Sequence, residues 1–521
     1  MIEVLAAAKA VQGAAMLAAA GAAVAVLLTR DPRLRAAAMI AALVLSGLAV
    51  VTIGGDSLGH RRAELAVGAV AGLIAIGVLA VLFTRRPGLV GVLALAAIPF
   101  RVPVPLGTDT ASLLLPLYGV IAAGAVADAY RWLRPGTGPD ALEVAEAVQG
   151  RRLQWVLYAL SAFVGLYALQ ATYSADIEVA LKNVCLFYAP FAVLMRLLLD
   201  VDWSAERLRS SLWLISTLAV LFAVVGFYEY ATDHLLLANA KVQEANDLKP
   251  YFRVNSLFFD PNIYGRFEAL AMLALAATLL WSRKRSTVLM VAAALGVLWA
   301  GLVLSLSQSS FAALLGGLAV LAALRWDPRP VFATVAVLIV AAIAVVTLAP
   351  GSIQIDTRST AALDKATSGR FDLVKGALSM ARDRPLYGFG SGSFAVNYRA
   401  REGVTSPRAA AVSHTIPLTV SAEQGVIGLI AYLALMATAL ALVFEKLLGR
   451  RRPGLDAGIA DVAAAAVAAA FCALVLHTLV YAAFLEDPLS WTLLALAAGI
   501  GATRVPAPVP VPPRQAEPAG V

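Results

Sequence analysis

Charge is scarce in this chain. Asp, Glu, Lys and Arg make up 14% of its 521 residues, while 60% are hydrophobic. Ordinary globular chains carry about 25% charged residues. The length alone would predict roughly three soluble domains, but a soluble protein this poor in charge could not cover its own surface. Apolar runs near or above the ~18 residues that cross a hydrocarbon core recur from end to end. The pattern predicts a polytopic membrane protein and excludes a soluble enzyme, a nucleic-acid binder and a secreted disulfide scaffold. Cysteine is scarce too: Cys185 and Cys472 both fall inside apolar runs, at a spacing that matches no thiolate motif. No His/Cys/Asp cluster has metal-ligand spacing, and no Asp-x-Asp pair could hold a metal-bound sugar nucleotide. No metal and no cofactor are therefore expected.

What charge there is carries information. The formal excess is 41 − 33 = +8, and its default explanation is the concentration of Lys and Arg in cytoplasmic loops. About fifteen candidate spans can be read from the hydrophobic runs, beginning with an N-terminal stretch that reads as a membrane helix rather than a signal peptide. The tight turn Arg283-Lys284-Arg285 fixes one face as cytoplasmic. Alternation then brings Arg325–Arg329, Arg450–Arg452, Arg207/Arg209, Arg131–Arg152, Arg85/Arg86 and Arg30–Arg35 to the same face. Only His60, Arg61 and Arg62 disagree.

Two polar segments fall on the outer face, one from about Asp233 to Asn262 and one from about Pro350 to His414. The second holds nine Lys/Arg against five Asp/Glu. Long loops translocate largely regardless of charge. The loop is either a solvated segment resting on headgroups or a basic surface facing an anionic substrate such as a lipid pyrophosphate. Within it, Phe371, Val374, Leu378 and Ala381 recur at helical spacing. Pro385 stops that helix, and Gly388, Gly390 and Gly392 make a turn-rich loop. No strand precedes this Gly-x-Gly-x-Gly run, so it is not a dinucleotide site.

Candidate chemistry follows from residue type. His414 closes the large outer loop just before a span; it reads as a general base towards a sugar hydroxyl or as a capping or interfacial histidine. His60 and His234 lie in loops, and His477, beside Thr478 and Tyr481, reads as a helix-to-helix hydrogen bond. Arg253, Arg370, Arg382 and Arg384 sit on the two outer segments, where guanidinium forks would clamp a diphosphate or anchor to headgroups. Lys182, Glu229, Arg266, Glu268 and Glu423 lie near the outer ends of spans. Such charges are costly unless paired or facing a hydrated cavity, and an ion relay would give the same pattern.

Three blocks of this sequence resemble the O-antigen ligase and polymerase (Wzy_C-type) superfamily. They are Arg253-Val-Asn255-Ser-Leu-Phe-Phe-Asp260-Pro-Asn262-Ile-Tyr-Gly265; Ser368-Gly-Arg370 leading into Ala381-Arg382-Asp-Arg384-Pro385-Leu-Tyr387-Gly388-Phe-Gly390; and Ser413-His414-Thr415 followed by Glu423-Gln-Gly425-Val-Ile-Gly428. The resemblance covers roughly residues 220–500. It implies an all-α, GT-C-like bundle of about 12 core transmembrane helices, with about 3 more at the N-terminus and a large extracytoplasmic loop containing short helices. The corresponding boundaries are 1–86 for the extra helices, 87–349 for the first part of the core, 350–415 for the loop, 416–504 for the C-terminal helices and 505–521 for a Pro-rich tail.

The implied activity is a glycosyltransferase of the cytoplasmic membrane with its site on the outer face. It would move a glycan from an undecaprenyl-diphosphate carrier to a hydroxyl of a glycan, glycolipid or cell-wall acceptor, with membrane lipids as its surroundings and no nucleic acid involved. Arg253 and Arg370 match the arginines that bind the lipid diphosphate, and His414 the histidine that activates the acceptor. Asn255, Asp260, Asn262, Arg266, Arg382, Arg384, Tyr387 and Glu423 would line the substrate site. Many relatives have His-Asn where this chain has His414-Thr415. A polysaccharide polymerase and a protein O-oligosaccharyltransferase share the donor and fold, and a flippase or exporter would share the many spans.

Overall fold

The structure is a computed structural model, and it describes residues 2–58, 62–106, 109–133, 150–237, 240–248, 251–326, 328–331, 333–337, 340, 370–403, 415–448, 457–481 and 483–501. The chain is an all-α multi-pass membrane protein. Among the described residues, eleven helices are long and apolar enough to cross a membrane, as the low charge predicts. The count falls short of the fifteen runs in the sequence partly because some runs fold as shorter pieces. Helices α1 (Ile2–Leu28) and α2 (Pro32–Leu58) pack on each other, and α3 (Arg62–Arg85) packs on a later helix. Next comes α4 (Leu89–Ala97), whose nine residues rise only about 14 Å. It ends in Pro99 and an antiparallel hairpin, β1 (Val102–Leu106) with β2 (Asp109–Leu113), in register Val102↔Leu113. Pro103 and Pro105 in β1 suit a strand with a free edge.

The bundle continues with α5 (Leu115–Leu133), α6 (Arg151–Ala171), α7 (Ile177–Leu199, with a π-helical stretch at Asn183–Tyr188) and α8 (Ala205–Thr232). A short α9 (Ala240–Leu248) precedes α10 (Pro261–Trp281), α11 (Arg285–Ser305) and α12 (Gln308–Arg325). The described part of the large loop holds α13 (Arg370–Asp383) and α14 (Phe394–Glu402), the short helices expected of it. Finally come α15 (Ile416–Val443), α16 (Ile459–Thr478) and α17 (Pro488–Gly501). Helix α10 is the hub, packing on α8, α11, α12 and α16. Helix α1 packs on α6 and α7, and α3 faces mostly outward.

The basic turns gather at one end. Arg35 and Arg196 both pair with Asp200 (3.7 and 2.9 Å), Arg152 with Glu445 (3.6 Å), Arg207 with Asp202 (2.9 Å) and Lys446 with Asp461 (3.7 Å). Arg325 Nε donates to the Leu280 carbonyl at 3.3 Å, tying the ends of α10 and α12. Among the described residues, Arg35, Arg152, Arg207 and Arg325 of the charge ladder are thus tied to partners at the helix ends. At the other end lie 232–237, 240–248, 251–262, 305–310, 370–403, 478–481 and 483–488.

Candidate functional site

The site is organised around the start of α10. Asp260 caps the helix, its Oδ1 accepting from the Asn262 amide at 2.7 Å, and Pro261 takes the first helical position, where no N–H is needed. Asp260 Oδ2 accepts from the Tyr481 hydroxyl at 2.9 Å, which ties the cap to the end of α16. Burial, and then Asp260, push the Tyr481 phenol above its ordinary range. The turn before the cap is strained: Ser256 and Phe259 have φ of 50° and 59°, at a cost of roughly 1–2 kcal/mol each.

Two things hold that turn. Glu229, fully buried, accepts from the amides of Leu236 (3.0 Å), Asn255 (3.1 Å) and Ser256 (2.7 Å). Beneath it, Phe258 packs on Phe222, Phe267 and Tyr264 with ring centroids 5.0, 5.4 and 5.9 Å apart, pairs worth about 0.5–1.5 kcal/mol each beyond their burial. Ser256, Phe259, Leu306 and Ala483 are four of the five non-glycine residues with positive φ among those described, and all four lie in the segments that meet here. Strain of this kind persists only where the surroundings over-determine it, and it clusters at functional sites.

Arg253 enters from this turn. Its Nε donates to the Ser305 carbonyl at 3.0 Å and its Nη2 to Asn262 Oδ1 at 3.4 Å, while Asn246 brackets its backbone from α9. Asn262 Oδ1 also accepts from Ser307 Oγ at 2.9 Å. From there a chain of hydroxyls runs through Ser310, 2.8 Å from Ser307, and Ser309, whose Oγ is 3.2 Å from His477 Nε2. His477 makes the helix-to-helix contact expected of it. Gly265 permits the approach of this serine turn, since a Cβ there would lie 2.8 Å from Ser305 Oγ.

One turn deeper, Arg266 forms an ion pair with Asp487, both side chains being only 2% exposed. Asp487 Oδ1 also accepts from the Leu489 amide at 2.9 Å, capping α17. Arg101, at the base of the hairpin, faces the same cleft as Arg266 and Asp487. Burial lowers the Arg101 guanidinium from its ordinary value, Asp487 opposes the shift and Arg266 adds to it; an arginine remains charged regardless. The neighbouring Glu486 turns the other way, accepting from the Tyr188 hydroxyl at 2.9 Å, and burial raises its carboxyl.

A second set of predicted residues lies where the loop meets α15. That helix breaks at Gly425 (φ 66°). The break frees the carbonyls of Ala422 and Glu423 to accept from the amides of Phe389 (3.1 Å) and Gly390 (2.7 Å), and the Val426 amide to donate to the Pro385 carbonyl (2.7 Å). All three glycines of the Gly-x-Gly-x-Gly run have positive φ. A Cβ on Gly388 would lie 2.3 Å from the Glu423 carbonyl, one on Gly390 2.6 Å from Ser174 Cα and one on Gly392 2.9 Å from the Ala180 amide nitrogen. The run is a latch that seats the loop in the broken helix.

The structure therefore divides the predicted residues. Arg253, Asn255, Asp260, Asn262 and Arg266 share the α10 site. Glu423 is buried in the latch, while Arg382, Arg384 and Tyr387 are exposed beside it, with the Arg384 guanidinium 4.5 Å above the Phe389 ring. The Tyr387 carbonyl accepts from Tyr173 OH (2.6 Å) and Gln170 Nε2 (3.3 Å). Arg370 opens α13; its side chain, and the whole of His414, lie outside the described part of the structure. Thr415, the residue after His414, donates from Oγ1 to the Leu479 carbonyl at 3.0 Å, next to Tyr481. Lys182 is spent in an ion pair with Glu178 (2.7 Å). Sequence reading passed over Arg101, Asp487 and the serines of 305–310. The first two were detectable as charges set in apolar surroundings, but nothing in their spacing joined them to Arg266.

The comparison with known families bears on this geometry. Residues 293–433 match the O-antigen ligase family, Wzy_C. The O-antigen ligase match runs from within α11, through α12 and the large loop, to the middle of α15. It takes in Arg370, the latch glycines, His414 and Glu423, and Arg253, Arg266 and Arg101 precede it. It bears out the resemblance to the O-antigen ligase and polymerase superfamily and supports a membrane glycosyltransferase of ligase or polymerase type. No curated protein matches the chain.

Proposed function

We propose that the protein is an O-antigen ligase-like glycosyltransferase that moves a glycan from an undecaprenyl-diphosphate carrier to an acceptor hydroxyl on the outer face of the cytoplasmic membrane. The observation that carries this reading is the setting of Arg253. Its guanidinium is held by Ser305 and Asn262 at the end of the bundle opposite the basic turns, the end that also bears the loop with Arg370. With positive charge on the cytoplasmic side, this position supports an outward-facing site, where a lipid-linked glycan is presented.

In this reading Arg253 and Arg370 hold the diphosphate and stabilise the charge that builds on it as the bond from the anomeric carbon to oxygen breaks. His414 takes the acceptor proton, and the acceptor oxygen attacks the anomeric carbon from the opposite face, so the centre inverts. The electron pair of the broken bond leaves with undecaprenyl diphosphate. The prenyl chain, held between helices, supplies orientation. Neither a metal nor a nucleotide sugar is needed.

The test is reconstitution of purified protein with a lipid-diphosphate glycan and candidate acceptors. Release of free carrier diphosphate coupled to glycan transfer is expected; release without transfer, or no turnover with any acceptor, overturns the reading. Deletion of the gene followed by analysis of the lipid-linked glycans separates ligase from polymerase. Long chains accumulate when a ligase is missing, and single repeat units when a polymerase is.

A further inference from the structure

The serine turn at the start of α12 joins α10, α12 and α16 through side chains that are almost wholly buried: Ser307, Ser310 and His477 are 0% exposed and Ser309 is 4% exposed. Its protons can be counted. Asn262 Oδ1 can only accept, and it receives both Arg253 Nη2 at 3.4 Å and Ser307 Oγ at 2.9 Å. The single Ser307 proton is spent there, so the Ser307 oxygen has to accept from its other hydroxyl neighbours, Ser310 at 2.8 Å and Ser309 at 3.3 Å. With its own proton turned to Ser307, Ser309 has only lone pairs for His477 Nε2 at 3.2 Å, and the ring must carry its proton on that nitrogen. The other tautomer would turn the Ser309 proton to Nε2 and leave the Ser307 and Ser309 oxygens facing each other without one. His477 Nδ1 is buried with no hydrogen-bond partner, so nothing on that side of the ring holds a proton there. Donation therefore runs in one direction, from His477 through Ser309 and Ser307 to Asn262.

Asn262 is where this chain of donors reaches the open end of the bundle. Its side chain is half-buried, and its Nδ2 has no acceptor among the described residues. A side-chain amide can turn either its oxygen or its NH2 to the same place. Two donors on Oδ1 fix that choice and leave the NH2 turned away from the serine turn. We propose that His477, acting through Ser309 and Ser307, is a positioning residue that sets the Asn262 amide so that its NH2 is offered to an oxygen of the bound glycan substrate; this role rests on the transfer reaction proposed above. Asn262 then touches the substrate, and the buried histidine and serines act only through it.

The tautomer is read by nitrogen NMR of purified full-length protein in nanodiscs, with isotope-labelled histidine. The chain has four histidines, so the signals lost in His477→Gln are those of His477. A protonated Nε2 beside a bare Nδ1 is expected; the reverse overturns the relay. Ser307→Gly separates the Asn262 bond from the capping of α12, because glycine is a tolerated cap. It should lower kcat by about tenfold, the scale of one hydrogen bond, with KM unchanged, and lower it no further in an Asn262→Ala background. An equal loss in both backgrounds would make the serine turn framework only and overturns the proposal. His477→Gln, whose amide can still donate to Ser309, should keep more turnover than His477→Phe. Modification of Arg253 by phenylglyoxal, read by mass spectrometry, needs no turnover. It should quicken several-fold in Ser307→Gly and in Asn262→Ala, and no more in the double variant. That pattern in a protein that transfers no glycan leaves the setting of Asn262 in place and removes the function. Unchanged modification in Ser307→Gly, with faster modification in Asn262→Ala, overturns the setting whatever the turnover.

Discussion

The Glu423 carboxylate accepts from the Phe394 amide at 2.9 Å through one oxygen, and from the Gly392 amide at 2.8 Å through the other. Phe394 opens α14, so the carboxylate sits at a helix N-terminus, where negative charge is favoured. Each oxygen thus holds a loop amide, which supports a positioning role for Glu423. Glu423→Gln keeps an acceptor for one of these amides but turns an NH2 donor towards the other, and should cost roughly 1–3 kcal/mol of loop anchoring. The expected outcome is faster protease cleavage within residues 385–403 in membranes, with transfer lost in parallel. Normal protease resistance with transfer abolished would make Glu423 a substrate contact after all.

The latch glycines make a sharper comparison. Gly388 and Gly403 share a left-handed backbone, with φ of 65° and 63°. A Cβ on Gly388 meets the Glu423 carbonyl, whereas one on Gly403 meets nothing within 4 Å. Gly403→Ala should therefore cost about 1 kcal/mol, the backbone term alone. Gly388→Ala adds a steric clash with main chain that cannot move without unseating α15 from the loop. The expected result is a clearly lower melting temperature in detergent for Gly388→Ala than for Gly403→Ala. Equal shifts would mean that the latch is not seated as described.

For the transfer reaction, Arg253→Ala, Arg370→Ala and His414→Ala should each abolish activity while the protein still accumulates in the membrane. Arg253→Lys is the more discriminating variant. A lysine keeps the charge but cannot span the Ser305 carbonyl and Asn262 while also presenting a fork to a diphosphate. A fall in kcat of about 10²-fold is expected, the scale of one lost oxyanion donor, with protein levels unchanged. Near wild-type turnover by Arg253→Lys would reduce the role of Arg253 to that of a point charge.

Much of this was legible in the sequence, for reasons that differ between residues. Membrane character follows from apolar runs, and the end-to-end sorting of Arg35, Arg152, Arg207 and Arg325 follows from charge alternation; neither needs tertiary information. The block from Arg253 to Arg266 could be read because it is continuous and opens with a helix cap. Arg101 and Asp487 could not be joined to it, since they come from opposite ends of the chain and meet only because α4 is short. The Gly-x-Gly-x-Gly run has no strand before it and no βαβ unit around it, which is readable locally. Its actual role depends on the break at Gly425, some 35 residues later, and no local pattern announces that pairing.

The Arg266–Asp487 pair gives the last prediction. Both side chains are nearly free of solvent, so removing one charge leaves the other uncompensated, at a cost of roughly 3–5 kcal/mol. Asp487→Asn keeps an oxygen to cap α17 through the Leu489 amide, so its effect reports mainly on the ion pair. It should unfold at a distinctly lower temperature than wild type in the same detergent. Adding Arg266→Met removes the stranded charge and fills much of its volume, and should recover most of that loss, because a buried ion pair is often no more stabilising than the apolar pair that replaces it. Recovery of stability without recovery of transfer would place Arg266 in the work of the site rather than in its framework. If the double variant is no more stable than Asp487→Asn alone, the two residues are not coupled, and the pair does not hold α10 to α17.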